Sequence, residues 1–255
     1  MYTTIRPHPL LLPYIDAYWV AVSSRFAQQR ILPDTCSDII FNIGKDAVYP
    51  GAGGLIVTPG DAFVVGTMTT FRDTQLPAGG ALLGIRFQAG GLAAYTGLPL
   101  QLITDQHIPL DEITREWQNS LKSLLEKAAT IPQQIRVVEI FLLQRLPVPV
   151  IAIQQVLPTI DRIRATNGNI RIAALAAQAC MSVRTYERYF LQLTGVSPKT
   201  FSRIIRFMAV KQQLKTAADQ PLLRLALDNG FYDHAHLTRE FSAFTGHSPV
   251  SYLQR

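Results

Sequence analysis

The sequence predicts a two-domain chain of the α+β class, with a β-barrel and flanking helices in residues 1–150 and an all-helical part in residues 151–255. Three observations predict it. Short β-branched or aromatic runs, broken by Gly and Pro, fill residues 1 to about 105. Apolar residues at helical spacing follow from residue 111 onward. One helical unit then occurs twice at the C-terminus. A length of 255 residues is enough for two domains.

The strand candidates are Asp38–Ile43, Leu55–Val57, Ala62–Val65 and Leu82–Phe87. Turn residues are densest over Pro50–Gly60 and Pro77–Gly91. Many short strands with such punctuation suggest a closed or sandwich barrel. The helical stretch 111–166 carries Ile113, Trp117, Leu121, Leu124 and Leu125, then Ile135, Val138, Phe141 and Leu142.

The repeat is explicit. Residues 182–204 superpose on 233–255 with an offset of 51 positions. Arg188 falls on Arg239, Phe190 on Phe241, and Thr194, Gly195, Ser197 and Pro198 on Thr245, Gly246, Ser248 and Pro249. Tyr186, Phe190 and Leu193 lie at helical spacing in copy one, as do Leu237, Phe241 and Phe244 in copy two. Ser182 and Asp233 are placed as N-caps. Gly195 and Gly246 mark the helix exits, and the prolines forbid continuation. A short apolar helix precedes each copy, Ile172–Ala177 and Leu222–Leu227. Each pair is a helix-turn-helix. Copy two has Gly230 in its turn, and the offset assigns Ala179 to that place in copy one. Residues Pro198 to Ala217 join the copies, with Phe201, Ile204, Ile205, Met208 and Leu214 on an apolar stripe.

Charge is divided unevenly. Residues 161–255 hold 13 Lys and Arg against 6 Asp and Glu, whereas residues 1–160 hold 11 against 12. The positive excess lies wholly with the repeat, the footprint of a surface that faces phosphates. No stretch approaches the roughly 20 apolar residues of a spanning helix, so no membrane partner is expected.

These residues resemble the AraC/XylS family of bacterial transcription regulators. The likeness rests on Ala174–Ala176, the run from Tyr186 to Pro198, Asp228–Asp233 and His236–Pro249, and covers about 90 residues. It implies two helix-turn-helix units joined by a long helix, with double-stranded DNA as the partner. The second helix of such a unit enters the major groove, where each base pair shows its own donor and acceptor pattern. The side chains expected to face the bases are Arg184, Thr185, Glu187 and Arg188 in copy one, and His234, His236, Thr238 and Arg239 in copy two. Arg184 and Arg188 share a face at i, i+4 and suit bidentate contacts to guanine. Glu187 either accepts from cytosine or pairs with a nearby Arg. His234 and His236 stand two apart on a helix and cannot converge on one metal ion. Arg162, Arg164, Arg171, Lys199, Arg203, Lys211 and Lys215 are candidates for phosphate contact.

The N-terminal part resembles the cupin-like sensor barrel that precedes the DNA-binding region in many family members. That resemblance implies a small-molecule effector of unknown identity, pairing as a homodimer, and RNA polymerase as a partner if the protein is an activator. Trp19, Arg30, Phe41 and Arg86 are the candidate ligand-wall residues. Between Pro9 and Gln106 there is no histidine and no glutamate. This removes the usual metal ligands and most acid–base options, so neither a metal, a cofactor nor an enzyme is expected. Cys36 and Cys180 fit no disulfide framework or zinc spacing and suit the cytoplasm. Asp34 and Asp38 beside Cys36 argue against a reactive thiolate. No secretion signal is visible, since the first apolar run is too short. The rival reading is a ligand-binding or enzymatic barrel whose helical tail serves protein contacts.

Overall fold

The computed structural model describes residues 1–51, 54–148, 150–216 and 221–253. Its strands are β1 (Tyr2–Ile5), β2 (Ile15–Val22), β3 (Ala27–Ile31), β4 (Ser37–Asn42), β5 (Ala62–Val65), β6 (Arg72–Leu76), β7 (Ala81–Phe87) and β8 (His107–Pro109). Its helices are α1 (Gly91–Thr96), α2 (Leu110–Ile113), α3 (Arg115–Glu126), α4 (Ile131–Leu143) and α5 (Ile151–Ala165). The C-terminal part adds α6 (Ile172–Gln178), α7 (Val183–Thr194), α8 (Pro198–Thr216), α9 (Leu222–Asp228), α10 (His234–Thr245) and α11 (Pro249–Leu253). The two-part α+β organisation agrees with the sequence.

Six strands form one antiparallel sheet in the order β1-β2-β7-β4-β5-β8, while β3 and β6 pair only with each other. The sheet's edge strands β1 and β8 do not pair with each other among the described residues. Of the closed or sandwich barrel expected, closure is not seen in the hydrogen bonding: the strands form a six-stranded sheet and a two-stranded ribbon. The polar β3–β6 ribbon covers one face, where its Leu76 packs on Trp19, Ile40, Val48, Val57 and Phe63. The Leu55–Val57 run is not a strand; Val57 alone bridges to Val48.

Side chains alternate between the two faces. Tyr18, Ile85 and Ile39 share one row, and Val20, Leu83 and Phe41 the next. This face lies under the helices, and its cluster runs on through Leu92, Trp117, Leu121, Val138 and Phe141 to Val156, Leu175, Tyr186, Phe190 and Phe201. A second cluster gathers Ile204, Phe207, Val210 and Leu214 of α8 with Leu225, Phe231, Leu237, Phe241 and Phe244. α8 thus gives Phe201 and Ile205 to one core and its remaining apolar face to the other. It ends at Thr216; Ala217 of the expected linker lies outside the described residues.

Candidate nucleic-acid interface

The repeated T-G-x-S-P run has the same construction in both copies. The Thr194 hydroxyl lies 2.9 Å from the Phe190 carbonyl oxygen and 3.0 Å from that of Val196. Thr245 repeats this with Phe241 and His247, both at 2.8 Å. Gly195 (φ 80) and Gly246 (φ 75) take the left-handed conformation that L side chains resist. Ser197 and Ser248 then accept from the backbone N–H of Thr200 (3.1 Å) and Ser251 (3.2 Å), opening the next helix in front of each proline.

The caps of the second helices also match the sequence. Ser182 accepts from the Thr185 N–H at 3.2 Å, and Asp233 from the His236 N–H at 2.6 Å. The turns differ from what the 51-residue offset predicts. Ala179 ends α6 at φ −78, and Cys180 (φ 54) is the true counterpart of Gly230 (φ 74). In each copy the next N–H, of Met181 or Phe231, closes onto Ala176 or Ala226 at 2.9 Å. Copy two then spends one extra residue, Tyr232, before its cap.

The base-facing candidates fall on the first turns of α7 and α10. Arg184, Glu187, Arg188, His234 and Arg239 are exposed, whereas Thr185, His236 and Thr238 are half-buried. The half-buried three have local partners. Thr185 accepts from Ser182 at 2.9 Å, the His236 ring from the Tyr232 N–H at 3.3 Å, and Thr238 donates to the His234 carbonyl at 2.8 Å. Among the described residues, Arg184, Glu187, Arg188 and Arg239 enter no ion pair. The offset also marks Ala235, the exposed counterpart of Arg184, which is absent from the base-facing residues expected from sequence.

The phosphate candidates divide. Arg162, Arg171, Lys199 and Lys215 are exposed. Arg164 is 3.6 Å from Asp161. Arg203 is committed to Glu240 of α10 through two bonds of 2.6 and 2.9 Å, so it is a structural arginine. Lys211 is half-buried, and its pKa is held down first by burial and then by the cations of Lys215 and Arg86.

Both helix exits dock on the N-terminal part. Thr67 donates to the Thr194 carbonyl at 2.7 Å, and Thr104 to that of Gly195 at 2.5 Å. Arg30 donates to the Thr245 carbonyl at 3.0 Å while gripping Asp73 with two bonds of 2.7 Å. The reading turns lie at the opposite ends of their helices from these contacts.

The four ligand-wall candidates do not share a cavity. Trp19 and Phe41 lie on opposite faces of the sheet: Trp19 shares a row with Gly84 and Ile40, whereas Phe41 is next to Leu83 in the helix-facing core. Arg30 clasps copy two. Arg86 pairs with Asp34 and lies 3.9 Å from Asp16. Close by, the Trp19 indole donates to Asp38 at 2.8 Å, and burial pushes the Asp38 carboxyl up to about 7. Burial also raises the pKa of the Cys36 thiol, with Asp38 adding to it. A groove of about 620 Å³ lies elsewhere, lined by Ile5, Val20, Ile131, Ile135, Arg136 and Ile140 among others. Among the described residues no cluster of His, Cys, Asp and Glu could hold a metal, and no helix is long and apolar enough to cross a membrane.

Residues 3–109 match a family described as a domain of unknown function (DUF6597), and residues 175–255 match one described as a helix-turn-helix domain. No curated protein matches the sequence. Among solved structures the chain is similar to ToxT from Vibrio cholerae O395, at 11% identity over 92% of this chain and 95% of that one, with a TM-score of 0.47. It is also similar to the DNA-binding domain of AdpA, a global transcriptional factor solved with a target DNA. There the identity is 26% over 42% of this chain and 92% of that one, with a TM-score of 0.35. The C-terminal part of this chain, residues 175–255, is a helix-turn-helix domain.

Proposed function

We propose that α7 and α10 enter successive major grooves on one face of the duplex, about one helical turn apart. Arg184, Thr185, Glu187 and Arg188 read one site, and His234, His236, Thr238 and Arg239 the other. The observation that carries this reading is that Arg184, Glu187, Arg188, His234 and Arg239 are exposed at the reading ends of helices whose far ends are docked, with Arg184, Arg188 and Arg239 in no ion pair among the described residues. Each arginine is then available for guanine or phosphate. Arg162, Arg171, Lys199 and Lys215 supply the salt-sensitive phosphate term. Residues 1–150 form the sensing and pairing domain, answering to a small molecule or a second copy, and 151–255 the reading domain. The protein works in the cytoplasm as a regulator and catalyses no reaction.

The test is selection of bound fragments from the organism's genomic DNA by the full chain, followed by binding at several salt concentrations. An asymmetric two-part site, retained with sub-micromolar affinity and lost on Arg188→Ala or Arg239→Ala, is expected. Retention without sequence enrichment would refute the reading.

A further inference from the structure

The two reading units touch each other directly as well as through α8. The loop entering the first unit, residues 166–170, lies against the turn of the second, where a Cβ at Gly230 would overlap the side-chain amide of Asn169. Gly168 sits on the backbone of α8, where a Cβ would overlap the Ser202 carbonyl. Arg206 of α8 spans this junction. One terminal nitrogen donates to the Gly230 carbonyl at 3.3 Å, the other to the Gly168 carbonyl at 3.2 Å, and the guanidinium lies 5.4 Å from the Phe231 ring centroid. Its Nε is buried and makes no hydrogen bond among the described residues, so the two carbonyls are its polar anchors.

Gln213 of α8 also pairs its side-chain amide with that of Asn229, at 2.7 and 3.3 Å. The remaining contacts between the second unit and α8 are largely apolar, through Ile204, Phe207, Val210 and Leu214. Such contacts hold without fixing direction. A planar guanidinium on two carbonyls does fix direction, because both bonds must stay in its plane. Arg203, three residues earlier, adds the bidentate grip on Glu240.

We propose that Arg206, seated between Gly168 and Gly230, is a positioning residue for DNA reading: it sets the angle between the two units and hence the number of base pairs between the sites they read. The inference rests on the two-groove reading above. Arg206 touches no base in this role and needs no effector.

The experiment is selection from a pool of random-sequence duplexes by the full chain, comparing the natural protein with Arg206→Met and Arg206→Lys. The natural protein should enrich two motifs at one spacing. Both variants should enrich the same two motifs over a spread of spacings, and bind the natural protein's preferred duplex about 10-fold more weakly, some 1.4 kcal/mol. Arg206→Lys keeps the charge and the stem, but its ammonium cannot hold both carbonyls in one plane, and it covers the case in which Arg206→Met folds poorly. An unchanged single spacing in a folded variant, with or without weaker binding, overturns the positioning role while leaving the two-groove reading intact. A natural protein that enriches one motif or none overturns the two-groove reading itself, and this inference with it.

Discussion

The first and second reading units share a sequence but not an anchorage. Tyr186, Phe190, Leu193 and Phe201 of the first belong to the same core as Leu83, Phe87 and Leu92 of the N-terminal part. Tyr186 also meets Thr159 of α5 through a buried hydroxyl contact of 2.9 Å. The second unit has its own core, against which Leu32 is the one residue of the N-terminal part packed among the described residues. Its other ties to that part include Arg30 to the Thr245 carbonyl and the His247 ring, each at 3.0 Å, a 3.4 Å contact from Thr70 to the Ala243 carbonyl, and the Phe71 ring beside Gly246. One motif can therefore be built once into a domain body and once beside it. The first unit shares its core with the N-terminal part, and the second is joined to it through α8 and a few further contacts.

Core truncations should expose this difference most strongly. Phe190→Ala and Phe241→Ala each remove a fully buried ring, a loss of about 3–5 kcal/mol. Phe190→Ala should lower hydrogen-exchange protection across β2, β7 and α7 together. Phe241→Ala should open α9 and α10 and leave β7 protected. Loss of protection in β7 on Phe241→Ala would mean that the two cores unfold as one, and the comparison would break.

A pH scan should act on the first body and spare the second. Burial raises the Asp38 carboxyl from its usual value to about 7, with Asp16 adding to it and the Trp19 hydrogen bond opposing it. The folded form then holds a proton that the unfolded chain gives up near pH 4. The resulting stability is whole below that value, falls as pH rises towards 7, and levels off above it. Its ceiling is about 4 kcal/mol. Asp38→Asn should flatten thermal melting between pH 4 and 7 while leaving exchange in α10 unchanged at each pH.

On DNA the two units should be closer to equals. Arg188 and Arg239 occupy the same position, are both exposed, and support no core. Each substitution to Ala should cost about 1–3 kcal/mol of binding at its own half-site, with no change in melting temperature. Half-site competition measures this directly. A loss confined to one arginine would mean that the other meets a phosphate, which salt titration would register as a slope reduced by about one.

The sequence makes most of the repeat legible because each residue of T-G-x-S-P shapes the backbone next to it. Thr closes the exit, Gly takes the left-handed turn, Ser caps and Pro begins the next helix. Strong alternating runs such as Leu82–Phe87 are legible for the same local reason. What depends on distant partners is not. Arg203 reads as a candidate for phosphate contact until Glu240, 37 positions away, is placed against it. Trp19 and Phe41 read as one wall until strand register sends them to opposite faces. Leu55–Val57 has strand composition, but only Val57 finds a bridging partner. The short edge strand Tyr2–Ile5 and the polar β3–β6 ribbon carry too little apolar patterning to announce themselves.

The smallest effect should come from the turns, and it should have opposite signs in the two units. Cys180 holds φ 54 with an L side chain, whereas Gly230 holds φ 74 with none. A left-handed L residue costs roughly 1–2 kcal/mol, and glycine gives part of that back as unfolded-chain entropy. Cys180 is exposed, so its side chain contributes no core to offset the strain. Cys180→Gly should therefore stabilise the first unit by about 0.5–1 kcal/mol, seen as a small rise in melting temperature with DNA affinity unchanged. Gly230→Ala should destabilise the second unit, because the added Cβ meets both the left-handed backbone and the side chain of Asn169. If Cys180→Gly instead lowers stability, the thiol makes a contact that matters, and the two turns differ in more than their backbone.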